Sequence, residues 1–205
     1  MSSTNELPFL IFMNGYTACL KTYTARRLSN LLRVPLVETN KLGPCTDGSG
    51  ALDLEARKLR YERAVRLTYD YLHLGMSLVV DGTFGRKIWR QDLYGCCVRA
   101  GVRRVLAVRC FCTNEDVIEA RIVDRQENDY RPENEAALLA NYHTTRTEEE
   151  PIRGESLPWD APLPIVEFDT ERFEVEVHTA SEDSLAADVR RMIWTSVHTG
   201  RLSEH

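Results

Sequence analysis

The residues best suited to chemistry stand near the start of the chain, in the run Gly15-Tyr16-Thr17-Ala18-Cys19-Leu20-Lys21-Thr22. A phosphate-binding loop is written G-x-x-x-x-G-K-[ST], and this run matches it at the first glycine, the lysine and the hydroxyl residue. Each residue type has a reason. Backbone N–H groups of a turn that opens a helix cradle phosphate oxygens. Lys21 would set a positive charge on the β- and γ-phosphates of ATP or another nucleoside triphosphate, and the Thr22 hydroxyl would ligate Mg2+. The second glycine is replaced by Leu20. That glycine normally lets the backbone approach the phosphates without a Cβ. A leucine fits there if its φ is negative and its side chain turns into the core.

A second candidate is Leu78-Val79-Val80-Asp81, an apolar run closed by a carboxylate. This is the form of a Walker B strand, whose Asp holds magnesium directly or through water. Asp-Gly is also a common turn dipeptide, so the run by itself reads either way. A third candidate is the pair Arg121 and Arg125, four residues apart and so on one face of a helix. They would either close over a γ-phosphate and exclude water, or pair with Glu119, Asp124 and Glu127 on a solvated face.

These residues need elements to position them. Apolar runs of strand length alternate with segments of helical period, which predicts an α/β fold with a mainly parallel sheet. Strands are expected at 8–13, 34–38, 77–81, 103–111 and 165–169, and helices at 21–32, 53–74, 86–100, 114–127, 133–145 and 184–197. Phe173, Val175 and Val177 alternate with charged residues, so an edge strand or hairpin is expected there. The phosphate-binding run then falls between the first strand and the first helix, and Asp81 falls at the end of the third strand.

With these contexts, the chain resembles the small P-loop kinases grouped with zeta toxin, chloramphenicol phosphotransferase, gluconate kinase and the kinase domain of polynucleotide kinase. The resemblance runs from about residue 8 to 169. It is carried by Gly15…Lys21-Thr22, by Val79-Val80-Asp81-Gly82-Thr83-Phe84 with the following Arg86 and Arg90, by Arg121-x-x-x-Arg125, and by Phe168-Asp169-Thr170. It implies a three-layer P-loop NTPase sandwich, a five-stranded sheet flanked by helices, and a helical lid over about 114–147. It also implies transfer of the ATP γ-phosphate to a hydroxyl of a small-molecule, nucleotide or nucleic-acid-end acceptor. The alternative is a nucleotide-binding regulatory protein with weakened or lost catalysis.

The proton acceptor is the point of departure. Such kinases carry an Asp just after the second strand, where this chain has Asn40, and an amide cannot act as a base. Either Glu38, Asp47 or Asp81 substitutes, or the base is dispensable because phosphoryl transfer relies mainly on positioning and electrostatics. On the acceptor side, Asn40, Arg57, Thr83, Arg86 and Arg90 form the expected substrate contacts. Arg57 and Arg60 have an equal claim to simple pairing with Asp53 and Glu55.

The net charge of -5 is unevenly divided. Residues 1–147 hold 21 basic and 17 acidic side chains, whereas 148–205 hold 5 and 14. The basic stretch Arg86, Lys87, Arg90, Arg99, Arg103, Arg104 contains one acid, Asp92. It is either a solvated face or an anion pocket. Glu148-Glu149-Glu150 reads as a solvated helix end, and 148–205 as completing the sheet and the last helix of one 205-residue domain. Mild acidity and the lack of aromatic-basic interleaving argue against extended nucleic-acid binding. No apolar run is long enough to span a bilayer. The six cysteines lack C-x2-C spacing and read as free thiols of a cytoplasmic chain.

Overall fold

The computed structural model describes residues 7–43, 53–128, 135–171 and 186–191. Strand β1 (Phe9–Asn14) leads through the phosphate-binding run into α1 (Lys21–Leu32). Then follow β2 (Leu36–Glu38) with a 3-10 turn (Thr39–Lys41), α2 (Leu54–His73), β3 (Leu78–Asp81) and α3 (Lys87–Ala100). The chain continues as β4 (Arg104–Phe111), α4 (Glu115–Asn128), α5 (Glu135–Thr147) and β5 (Ile165–Asp169). Residues 186–191 are helical and fall within the helix expected at 184–197. The hairpin expected around 173–177 lies outside the described residues, as do Asp47 and Cys45.

All pairings in the five-stranded sheet are parallel, in the order β2-β3-β1-β4-β5. The central strands are apolar on both faces because both faces are covered. Leu10, Phe12, Leu78, Val80, Val105 and Ala107 pack with Tyr61 and Ala64 of α2 and Leu93 and Tyr94 of α3. Ile11, Met13, Val79, Leu106 and Val108 pack with Ala25 and Leu28 of α1, Ile118 and Ile122 of α4, and Tyr142 of α5. The result is the three-layer α/β architecture expected from the alternation of elements, with β5 closing one edge of the sheet.

Local chemistry sets the helix ends. The Asp53 carboxylate accepts hydrogen bonds from the backbone N–H groups of Glu55 and Ala56 at 2.9 and 3.1 Å and caps α2. It is not the partner of Arg57. Register puts Glu38 level with Asp81, and Asn14 level with Arg109, at the carboxyl ends of the strands. In an open parallel sheet this edge is where ligands bind.

Candidate functional site

Between β1 and α1 the chain turns tightly enough to exclude a side chain at one position. Gly15 has φ 132°, and a Cβ there would stand 2.1 Å from the Cys110 carbonyl oxygen. Only glycine fits. The Cys19 thiol donates to the Tyr16 carbonyl at 2.8 Å, and Ala18 and Leu20 both take left-handed backbone conformations, at φ 64° and 55°. The condition set above for a leucine at position 20, a negative φ, is therefore not met. Leucine adopts the conformation that glycine takes without penalty, a cost of roughly 1–2 kcal/mol. Its side chain is half-buried rather than sunk in the core. The loop keeps the turn in spite of the residue.

The loop opens α1 with unopposed N–H groups. Leu20 supplies no side-chain cap, and there is no acidic residue in the first turn. Lys21 Nζ folds back to donate to the Tyr16 carbonyl and lies 3.7 Å from Cys19 Sγ. The ammonium thus lies over the loop that a phosphate would enter. Thr22 Oγ1 donates to Asp81 Oδ2 at 2.6 Å, so the phosphate-binding run and the end of β3 meet directly. Asp81 is buried, and its Oδ1 has no hydrogen-bond partner among the described residues. Burial raises its carboxyl above the usual range, against the opposing pull of the Thr22 hydrogen bond and the Lys21 charge.

Glu38 is held differently. Burial pushes its carboxyl up, but hydrogen bonds from Arg26 at 2.7 Å and Lys41 at 2.6 Å outweigh it and lower the pKa. Asn40, one turn on, is exposed. Thr83, in the loop after β3, donates its N–H to the Tyr61 hydroxyl at 3.1 Å. Its carbonyl accepts from Gly15 N at 3.3 Å and from Asn14 Nδ2 at 3.4 Å.

Helix α5, on the same face of the sheet as α1 and α4, rests on the loop. The Tyr16 ring meets Tyr142 edge-on at 5.7 Å, and Thr17 N donates to Thr145 Oγ1 at 3.4 Å. The Tyr16 hydroxyl donates to the Cys112 carbonyl and accepts from Cys112 N at 3.1 Å. Arg121 reaches the end of β5, donating to Thr170 Oγ1 at 3.1 Å and to the Thr170 carbonyl. Arg125 lies on the same helix, and its side chain is outside the described residues.

The basic residues expected to meet substrate divide into two kinds. Arg90 is fully buried and spent within the protein. It donates to Glu155 at 2.6 and 3.1 Å, to the Phe84 and Gly85 carbonyls at 2.7 Å, and to the carbonyls of Glu150 and Pro151. It is a strut under the loop after β3, and nothing from solvent touches it. Arg57, buried, and Arg86, partly exposed, instead converge on one carboxylate beside that loop. Arg57 stacks over Trp89 at 4.6 Å and Arg86 at 5.5 Å, and both bind one carboxylate, Glu148, at 2.7 and 2.6 Å.

Glu148-Glu149-Glu150 is thus no solvated helix end. Glu149 pairs with Arg109 at 3.6 Å, Glu150 accepts from Lys87 N, and Glu150 N donates to the Gly85 carbonyl at 2.8 Å. The segment runs as a strap over the loop after β3. Sequence reasoning missed it because charge runs carry no record of which distant residues they will face.

Solved structures share this architecture. A kinase candidate from Chloroflexus aurantiacus j-10-fl superposes with a TM-score of 0.68 at 21% identity, over 91% of this chain and 99% of that one. A gluconokinase from Sinorhizobium meliloti 1021 gives 0.61 at 14%, over 97% and 99%. The Mycobacterium tuberculosis APS kinase CysC, in complex with AMPPNP and APS, gives 0.53 at 15%, over 91% and 98%. No curated protein matches the chain in sequence. Among the described residues, no helix is long and apolar enough to cross a membrane. The fold is that of the P-loop kinases the sequence resembles. Residues 10–148, about two thirds of the chain, match the AAA domain family AAA_33, and the protein belongs to that family.

Proposed function

We propose that the protein is a phosphotransferase that moves the γ-phosphate of ATP, or of another nucleoside triphosphate, to a hydroxyl on an acceptor. The observation that carries this reading is the Thr22–Asp81 contact of 2.6 Å beside Lys21, with the second Asp81 oxygen buried and, among the described residues, unpartnered. A hydroxyl and a carboxylate are hard oxygen donors of the kind Mg2+ takes, and that ion is usually held by one or two protein groups plus substrate phosphates. Among the described residues, no group of three or more His, Cys, Asp or Glu side chains forms a metal site on its own. Bound there, Mg2+ would neutralise charge developing on the phosphate oxygens.

The residues from Gly15 to Thr22 would orient the triphosphate through backbone N–H groups. Lys21 would exchange the Tyr16 carbonyl for a phosphate oxygen. Thr22 and Asp81 would fix the metal. Arg121 and Arg125, on the helix packed beside the one that rests on the loop, would stabilise the transferred group once Arg121 leaves Thr170. Glu38, ionised and level with Asp81, is the side chain proposed to accept the hydroxyl proton, in place of the Asp that Asn40 replaces. Asn40, Thr83, Arg57 and Arg86 are proposed to line the acceptor side. Arg90 supports them from below.

The test is turnover of ATP with Mg2+ across a screen of hydroxyl acceptors. Lys21→Ala is expected to lower turnover by about 10²–10³-fold while melting like the wild type. Undiminished turnover in that variant would remove Lys21 from the mechanism. A second reading, nucleotide binding with weakened transfer, is favoured by Leu20 in its left-handed conformation and by the exposed Asn40. Calorimetric binding of ATP without turnover on any acceptor would support it.

A further inference from the structure

Arg57 and Arg86 present the geometry of an anion clamp with a protein carboxylate already inside it. Glu148 Oε2 accepts from Arg57 Nη1 at 2.7 Å, and Oε1 accepts from Arg86 Nη2 at 2.6 Å, so one carboxylate bridges two guanidiniums. The two arginines are held in different ways. The Arg57 side chain is only 4% exposed and lies over the indole of Trp89, which itself stacks on Tyr61 at 4.1 Å. Arg86 is 38% exposed and Glu148 20%, so one arm of the clamp and its occupant are reached by water. One turn along α2, Arg60 is also buried, and its Nε finds no hydrogen-bond partner among the described residues. The clamp therefore has a fixed floor and a movable arm, with an unspent donor one turn further along the same helix. A carboxylate uses two of these features. A phosphate group, with more charge and a third oxygen, would use more.

We propose that Glu148 is an internal competitor for the acceptor's anionic group. Its carboxylate stands in for an oxyanion that the acceptor carries, and binding of that oxyanion between Arg57 and Arg86 expels it. This rests on the phosphotransferase reading and names the acceptor class, a hydroxyl compound that also bears a phosphate or carboxylate. Expulsion has a route to the reacting end of the site. Glu148 N donates to the Thr144 carbonyl at 2.9 Å, directly after α5, and Thr145 and Tyr142 of α5 rest on Thr17 and Tyr16 of the phosphate loop. An acceptor that releases Glu148 therefore frees the helix end that contacts the loop. The site would discriminate against neutral polyols and water, neither of which can take the place of a carboxylate between two arginines.

The test uses the full chain carrying Lys21→Ala, which removes the phosphate loop's own cation. Inorganic phosphate is titrated at fixed ionic strength while tryptophan fluorescence is followed in a background where Trp159 and Trp194 are replaced by Phe, so that the signal is that of Trp89. Adding Glu148→Gln is expected to tighten phosphate binding at least about tenfold, since the occupied state no longer competes. The gain should vanish when Arg86→Gln is also present, and glycerol should leave the signal unchanged in every variant. Equal phosphate affinity with and without Glu148, or a gain that survives loss of Arg86, overturns the proposal. Glu148→Gln leaves Arg57 buried without its partner, and a chain that fails to fold calls for a different readout. In that case the Glu148 parent is titrated and amide exchange is read at Glu150. Phosphate must speed that exchange, and unchanged or slower exchange overturns the proposal equally. Calorimetry of the wild type with AMPPNP and Mg2+ separates the two levels. Absence of nucleotide binding sinks the phosphotransferase reading, whereas nucleotide binding with a phosphate affinity indifferent to Glu148 sinks the competitor alone.

Discussion

Asp81 is buried, with one oxygen hydrogen-bonded to a hydroxyl and the other, among the described residues, without a hydrogen-bond partner. Ionising such a group is costly, which is why burial raises its pKa despite Thr22 and Lys21. The folded chain therefore binds this proton more tightly than the unfolded chain does. The contribution of Asp81 to metal-free stability is fully present below the ordinary carboxylate pKa and is lost as pH rises through the raised value. The melting temperature of the wild type is expected to fall relative to Asp81→Asn across that window, with saturating Mg2+ narrowing the gap. Parallel melting curves at all pH values would contradict it. Glu38 has the opposite sign. Its lowered pKa gives stability that is present above the ordinary value and lost as pH falls through the folded one. The two carboxylates at this sheet edge are thus shifted in opposite directions, Asp81 upward by burial and Glu38 downward by Arg26 and Lys41.

Among the elements, the strap from Glu148 to Glu155 does most to shape the acceptor side, and its firmest attachment is Arg90. Every donor direction of that guanidinium is taken up by Glu155 or by backbone carbonyls. Tyr94 completes the network by donating to Glu155 at 2.9 Å. Arg90→Met strands a buried carboxylate and is expected to cost about 3–5 kcal/mol, read as a lower urea midpoint. A loss below about 1 kcal/mol would mean that the strap is not fastened there. The elements themselves were legible in the residues. Unbroken apolar strands, a glycine, a lysine and a threonine before a helical run, and an aspartate closing the third strand led to the right architecture and brought Lys21, Thr22 and Asp81 together. The partners of Arg57, Arg86 and Arg90 were not legible. They lie 91, 62 and 65 residues away, and pairing over such distances leaves no periodic trace. The backbone sign at Leu20 was hidden for a related reason. Residue preference pointed one way, and the close approach of Gly15 to Cys110 dictated the turn.

Over the whole molecule, the uneven charge becomes a docking interaction. The part that carries the phosphate loop has an excess of 4 positive charges, the remainder an excess of 9 negative ones. Ion pairs cross the divide at Arg57–Glu148, Arg86–Glu148, Arg90–Glu155, Arg109–Glu149 and Arg109–Glu167. A ligand that binds only the assembled site stabilises the entire fold. AMPPNP with Mg2+ at a hundredfold excess over its Kd is expected to add about 2.7 kcal/mol, or roughly 5–10 °C for a chain of this size. An unmoved melting temperature would exclude binding at that affinity. The same division bears on the order in which the protein is made. Residues 1–147 leave the ribosome first, and they hold Arg57 and Arg90, whose guanidiniums are buried only against carboxylates that follow. A nascent chain cannot bury those charges alone, because an unpaired guanidinium in the interior costs several kcal/mol. Closure of the α2–α3 layer over the sheet must therefore wait for residues 148–155.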